Sequence, residues 1–275
     1  CGYSTPLRSA TDWLKPGSSA FIPFSAGKKQ PAKPPASIGR QSVVTVDFHE
    51  LGLKPGFRVL DAGCGTGRHL RALAGIAGLT IVGVDANPED VRKALKGLQE
   101  APDVACDDYA VMCQDITELP FPDEHFDCVI CSEVLEHIPA HEEALRELVR
   151  VLKPKGSLVV SVPRYFSERV CWMISSDYSN DEGGHIRIYK KRQLREMLTR
   201  QGMSLWKINY RHALHAPYWW LKCLVGIKNE ENIFVRMYHK FLVWDLFSKP
   251  RAVRMLETAL NPLIGKSIVF YLKKG

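Results

Sequence analysis

The residues best suited to chemistry in this chain are three aspartates, a glycine run and a cluster of Ser, Glu and His. The stretch Val59–Gly67 reads VLDAGCGTG, with Asp61 ahead of glycines at 63, 65 and 67. Glycines take positive φ and let a ligand approach the backbone closely. Asp85 closes the run TIVGVD roughly twenty residues further on, where a carboxylate can accept from both hydroxyls of a ribose. Asp115 stands in QDI, placed to accept from an exocyclic amine while Ile116 packs on a flat base. Ser132-Glu133-Val134-Leu135-Glu136-His137 follows the next apolar run. These types fit a ligand with a base, a ribose and a small charged group, and no pyrophosphate.

Competing motifs fail on spacing. A dinucleotide loop, G-x-G-x-x-G, needs its third glycine at 68, which is Arg68. A P-loop needs a Lys-Ser/Thr pair, and none follows. Cys128-Val-Ile-Cys131 has the spacing of a metal or redox pair. It lies in a strand pattern, where residues three apart point to opposite faces, so it reads as core.

Ligands of parallel sheets bind outside the carboxyl ends of the strands, so the glycine loop and the aspartates need such strands beneath them. The pattern supplies them. Strands are expected at 58–61, 80–85, 109–113, 126–131, 157–162, 204–210 and 266–272. Helices are expected at 43–51, 68–76, 88–98, 140–152 and 191–201, with Asn87 as N-cap and Pro88 in the first turn of the third. Val- and Ile-rich strands alternating with short helices predict an α/β fold with a mostly parallel, covered sheet. Helix 68–76 would offer N-terminal amides to a carboxylate.

In this order the residues resemble the class I S-adenosylmethionine-dependent methyltransferases, in the branch acting on small molecules, quinones and lipids. VLDAGCGTG is similar to the first motif of that family, VGVDANP to the second and QDITELPFPDEHFDCVICSEVLEHI to the next two, while VLKPKGSLVVSVP resembles the turn and strand that follow. Gly184-His185-Ile186-Arg187-Ile188-Tyr189 resembles a further stretch of that branch. The resemblance implies a Rossmann-like, seven-stranded sheet with a helical insertion between its last two strands. It implies S-adenosyl-L-methionine as cofactor. Gly63, Cys64, Gly65, Thr66 and Gly67 would hold its methionine part and Asp61 would lie near its amino group. Asp85 and Ala86 would hold the ribose, Asp115 and Ile116 the adenine, and Ser132 and Glu133 the wall by the sulfonium. His137, His185 and Tyr189 are the catalytic candidates, with His212 and His215 behind them. The sulfonium methyl is already an electrophile, so no metal is expected. A base helps if the acceptor is a hydroxyl or an acidic carbon.

The implied function is methyl transfer to an oxygen or carbon of a small hydrophobic acceptor. Ser-Glu-Val-Leu stands where methyltransferases of nucleic-acid amines carry Asn/Asp-Pro-Pro-aromatic, which argues against nucleic acid. Two alternatives share the fold: aminopropyl transfer and a scaffold without activity. The domain reading is a Pro-rich basic arm at 1–40, a core at 41–210, an insertion at 211–265 and a last core strand at 266–275.

Charge is uneven along the 275 residues. Residues 1–40 hold six basic and one acidic side chain, 41–185 thirteen and twenty-four, and 186–275 eighteen and five. The insertion adds Trp219, Trp220, Phe234, Met237, Phe241 and Trp244 among Arg236, Lys240 and Lys249. Aromatics with basic flanks suit a cap over a hydrophobic substrate, a membrane surface or a dimer interface. No apolar run reaches the ~20 residues that span a bilayer. No signal peptide is read at the N-terminus, the eight Cys suit a reducing cytoplasm, and Cys1 fits a truncated chain better than a lipidated one.

Overall fold

The computed structural model describes residues 23–28, 44–180, 184–248 and 250–275, the first of these segments and residues 179–180 as backbone only. The arm at 1–40 and Lys249 otherwise lie outside the described residues. Eight strands pair in one sheet, in the order β1-β4-β3-β2-β5-β6-β8-β7. They are β1 (Pro23–Lys28), β2 (Arg58–Ala62), β3 (Thr80–Asp85), β4 (Asp108–Cys113), β5 (Phe126–Ser132), β6 (Leu152–Pro163), β7 (Met203–Arg211) and β8 (Ser267–Lys274). The chain forms two compact units, one built mainly from 48–130 and 146–157, the other from 40–47, 131–145 and 158–275.

The first unit holds α1 (Arg68–Ala74) and α2 (Pro88–Gln99) and the parallel run β4-β3-β2-β5. Val59, Leu60, Ala62, Ile81 and Val84 have no exposed surface, as expected of strands covered on both faces. The register sets Asp61 beside Gly83 and Asp85 beside Cys113, so the strands end level. Asn87 caps α2, its Oδ1 accepting from the Glu89 N–H at 3.0 Å. A Cβ at Gly83 would stand 2.4 Å from Leu70 Cδ1 and 3.1 Å from Cys64 Sγ, so a larger residue there would displace the Leu70 side chain of α1. Cys128 and Cys131 are both buried in β5, as expected of a strand covered on both faces.

An eighth strand joins the seven expected. β1 comes from the Pro-rich arm and pairs antiparallel with β4 at the sheet edge, starting at Pro23. An edge strand tolerates Pro as its first residue.

The second unit holds the antiparallel pair β7–β8, whose Ile268 to Leu272 are all buried. It also holds α4 (Tyr165–Ile174), α5 (Ser176–Asn180) and α6 (Lys191–Arg200). Between β7 and β8 come α7 (His215–Val225), α8 (Ile233–Ser248) and α9 (Arg251–Ile264), the helical insertion. Helix α3 (His141–Val151) contributes to both units. The helix expected at 43–51 is reduced to a 3-10 turn at Phe48–Leu51. Tertiary partners hold the preceding residues instead. The Asp47 N–H donates to Tyr271 Oη at 2.9 Å, Arg211 pairs with Asp47 at 2.8 Å, and His212 Nε2 lies 3.1 Å from Thr45 Oγ1.

Candidate functional site

In the first unit the glycine loop is pinned to β3. The N–H groups of Gly63 and Cys64 both donate to Val84 O, at 2.8 and 2.9 Å. Asp85 clamps the loop from the other side: Oδ2 accepts from the Gly65 N–H at 2.8 Å and Oδ1 from the Asn87 N–H at 2.9 Å. Gly63, Gly65 and Gly67 have φ of 75, 51 and 80. At Gly67 a Cβ would meet Ala94 Cβ at 2.9 Å, whereas at Gly65 nothing lies within 4 Å. So Gly67 is required by packing, and Gly65 presents bare backbone to open space.

Asp61 is 1% exposed, and neither carboxylate oxygen has a hydrogen-bond partner among the described residues. Its pKa is pushed up from 3.8 to about 7, chiefly by burial; Arg68 opposes this and Asp85 adds to it. His69 lies 3.8 Å away. Burial pushes its pKa down to about 3, aided by Arg68, so it stays neutral and forms no ion pair. A buried carboxyl without a partner is costly. An ammonium group on the ligand would satisfy it. The cradle therefore fits the cofactor that the sequence implies: bare backbone at Gly65, an orphaned acid at Asp61, and Asp85 beside them. Asp115 is exposed, its Oδ1 accepting from the Thr117 N–H and Oγ1 at 2.8 Å each. Ile116 next to it is buried.

In the second unit, Ser132 Oγ and Ser161 Oγ share a hydrogen bond at 2.8 Å, and Ser161 Oγ donates to Glu133 Oε1 at 2.9 Å. Glu133 has φ 57, a strained value for a non-glycine residue of the kind that clusters at functional sites. Glu136 is wholly buried, with both carboxylate oxygens unpartnered among the described residues. Its pKa is raised well above the carboxylate range, by burial first and then by Glu133.

His137 and His185 come together, with ring centroids 5.0 Å apart. His137 Nδ1 lies 3.2 Å from Gly184 O. His185 Nδ1 bonds Glu168 Oε1, and Glu168 Oε2 accepts from Tyr178 Oη at 3.3 Å. Burial works to raise the Glu168 pKa, but His185 and Lys266 hold it below the ordinary value. Tyr189 stands apart from this pair. It is 2% exposed, its hydroxyl donates to Leu135 O at 3.2 Å, and it lies 2.6 Å from His141 Nδ1. Burial raises its pKa to about 12, so it anchors the turn that carries His137. His212 and His215 form a separate pair, 5.4 Å apart.

A pocket of about 720 Å³ is lined by His185, Tyr178, Trp219, Lys222, Lys228 and Lys266, among others. Lys222 and Lys266 lie over the Trp219 ring, at 5.5 and 5.0 Å from its centroid. Glu168, Tyr178, Lys266 and His69 carry no sequence motif and are found only through their partners. Glu136 was visible in SEVLEH, but nothing in the sequence marks it as buried.

Residues 60–160 match a family model described as a methyltransferase domain. The chain is 33% identical over 134 residues to sterol 24-C-methyltransferase ERG6B of Gibberella zeae, covering 49% of this chain and 32% of that one. It is 30% identical over 198 residues to sterol 24-C-methyltransferase erg6 of Schizosaccharomyces pombe, covering 67% and 46%. The chain thus spans less than half the length of these curated relatives. Phosphoethanolamine N-methyltransferase 2 of Haemonchus contortus, solved with S-adenosyl-L-methionine, is a structural neighbour with TM-score 0.51 and 21% identity, covering 82% of this chain and 51% of that one. That likeness is one of fold.

Proposed function

We propose that this chain carries a class I S-adenosylmethionine-dependent methyltransferase domain and transfers a methyl group from the cofactor to an oxygen or carbon of a hydrophobic, isoprenoid- or sterol-like acceptor. The observation that carries the reading is the cradle of the first unit, with Asp61 buried and unpartnered beside the bare backbone of Gly65. The names of the sterol methyltransferase relatives support the acceptor class.

When bound, S-adenosylmethionine supplies an electrophilic methyl group on a sulfonium. The residues of this chain do the rest. Asp61 holds the amino group as a carboxylate. Asp85 keeps the glycine loop shaped through Gly65 and meets the ribose. Asp115 and Ile116 receive the base. His137 and His185 receive the polar end of the acceptor, and Tyr189 positions their turn. Such holding in line, with water excluded, is the main catalytic demand of this chemistry.

The exposed apolar faces of α8 and α9 support contact with an anionic membrane surface, from which such an acceptor would be taken. Among the described residues no helix is long and apolar enough to cross a membrane. The test is incubation with methyl-labelled S-adenosylmethionine and a lipid extract containing sterols and isoprenoids. Label moving into the organic phase is the expected result. Label that stays in the aqueous phase with every acceptor class would refute the reading.

A further inference from the structure

We propose that Glu136, His137 and His185 form a binding site for a divalent transition-metal ion. One carboxylate oxygen and two ring nitrogens, one from each residue, lie within 4.8 Å of one another. Glu136 is 0% exposed, and both its oxygens lack hydrogen-bond partners among the described residues. Burying a carboxyl this way is unfavourable unless something satisfies it, and a cation does so.

The hydrogen bonds of the imidazoles fix tautomers suited to ligation. His137 Nδ1 lies 3.2 Å from Gly184 O, which can only accept, so Nδ1 carries the proton and Nε2 keeps its lone pair. His185 Nδ1 donates to the Glu168 carboxylate, which leaves its Nε2 in the same state. Metal-binding histidines characteristically donate their second N–H to a carbonyl or a carboxylate, and here there is one of each. The adjoining turn is strained at Glu133, φ 57, whose carboxylate is held by Ser161. Two imidazoles with one carboxylate suit Zn²⁺ and its first-row neighbours. Three protein ligands leave a coordination position for water or an acceptor oxygen. His185 also lines the pocket that contains Trp219 and Lys266.

This inference rests on these side chains alone and stands apart from the methyl-transfer reading. It departs from the expectation, drawn from the sequence, that no metal is involved. The test is calorimetric titration of the chelator-treated full chain with ZnCl₂, with CoCl₂ absorption as a second readout. About one ion per chain is expected. Glu136→Gln and His185→Asn should lose it, and Glu168→Gln should weaken it by about tenfold through loss of the orienting carboxylate. Cofactor binding, measured in the same variants, should persist and report that they fold. His137→Gln, at an exposed position, serves where Glu136→Gln does not fold. Absence of uptake by the wild-type chain would overturn the proposal. So would uptake undiminished in the folded variants, which would assign it to other side chains.

Discussion

Asp61 carries a titration with a readable consequence. Its carboxyl is largely neutral below about 7 and ionised above. A bound ammonium needs the ionised form, so affinity for S-adenosylmethionine should rise about tenfold between pH 5.5 and 7. Asp61→Asn should abolish that slope, and calorimetry across this range checks it. Without cofactor the stability linkage has the opposite sign. Asp61 contributes stability below its ordinary 3.8 and loses it as pH climbs through about 7, while His69 contributes above 6.5 and loses it as pH falls through about 3. Asp85→Ala should weaken cofactor binding by about 1–3 kcal/mol, since it strands the Gly65 N–H as well as the ribose. Unchanged affinity would refute the ribose assignment. Asp61 and Asp85 stand out in the sequence because each lies at a strand end next to the glycine loop or the Asn87 cap, whereas Asp115 has no such signal beside it. The His69 and Glu168 partnerships do not stand out, because they join residues that only the tertiary fold brings together.

Among the elements, the glycine loop is where local backbone decides most. Gly67→Ala puts a Cβ at 2.9 Å from Ala94 Cβ at φ 80, and should cost about 1–3 kcal/mol of stability. Gly65→Ala meets nothing within 4 Å, so it should cost only about 1–2 kcal/mol of left-handed strain while disproportionately weakening cofactor binding. Denaturant melts alongside cofactor titrations separate the two, and equal effects in both variants would count against the cradle. The strands and helices of the first unit were legible because burial on both faces imposes apolar runs and periodic helices. Helices α4 and α5 were not, since Phe166, Met173 and Ile174 of α4 stay exposed and blur the period. Residues 43–51 have a helical pattern but form only the 3-10 turn at Phe48–Leu51, because the bonds that hold Thr45 and Asp47 come from β7, β8 and the residue after β7.

For the molecule as a whole, charge and apolar exposure concentrate in the same part of the chain. Residues 186–275 hold eighteen basic against five acidic side chains. On α9, Ala252, Met255, Leu256, Ala259 and Leu263 are exposed at helical spacing, and no residue of that helix is buried. On α8, Ile233, Phe234, Met237, Trp244 and Phe247 are exposed near Arg236 and Lys240. Apolar residues flanked by cations suit an anionic lipid interface. Flotation should recover the chain with vesicles containing phosphatidylserine, less so at high salt, and Met255→Glu with Leu256→Glu should abolish recovery. Equal recovery of that variant would rule these helices out as the contact. The sequence showed the aromatic, basic character of 211–265, but which face stays exposed depends on the packing of the three helices.

On the proposed function, the first unit binds S-adenosylmethionine. Calorimetric titration of the full chain with S-adenosylmethionine, and in parallel with a nicotinamide dinucleotide, tests it most directly. Saturable binding of about one S-adenosylmethionine per chain, lost in Asp61→Ala, and no binding of the dinucleotide are expected. Absence of S-adenosylmethionine binding by the folded chain, or preference for the dinucleotide, would contradict it.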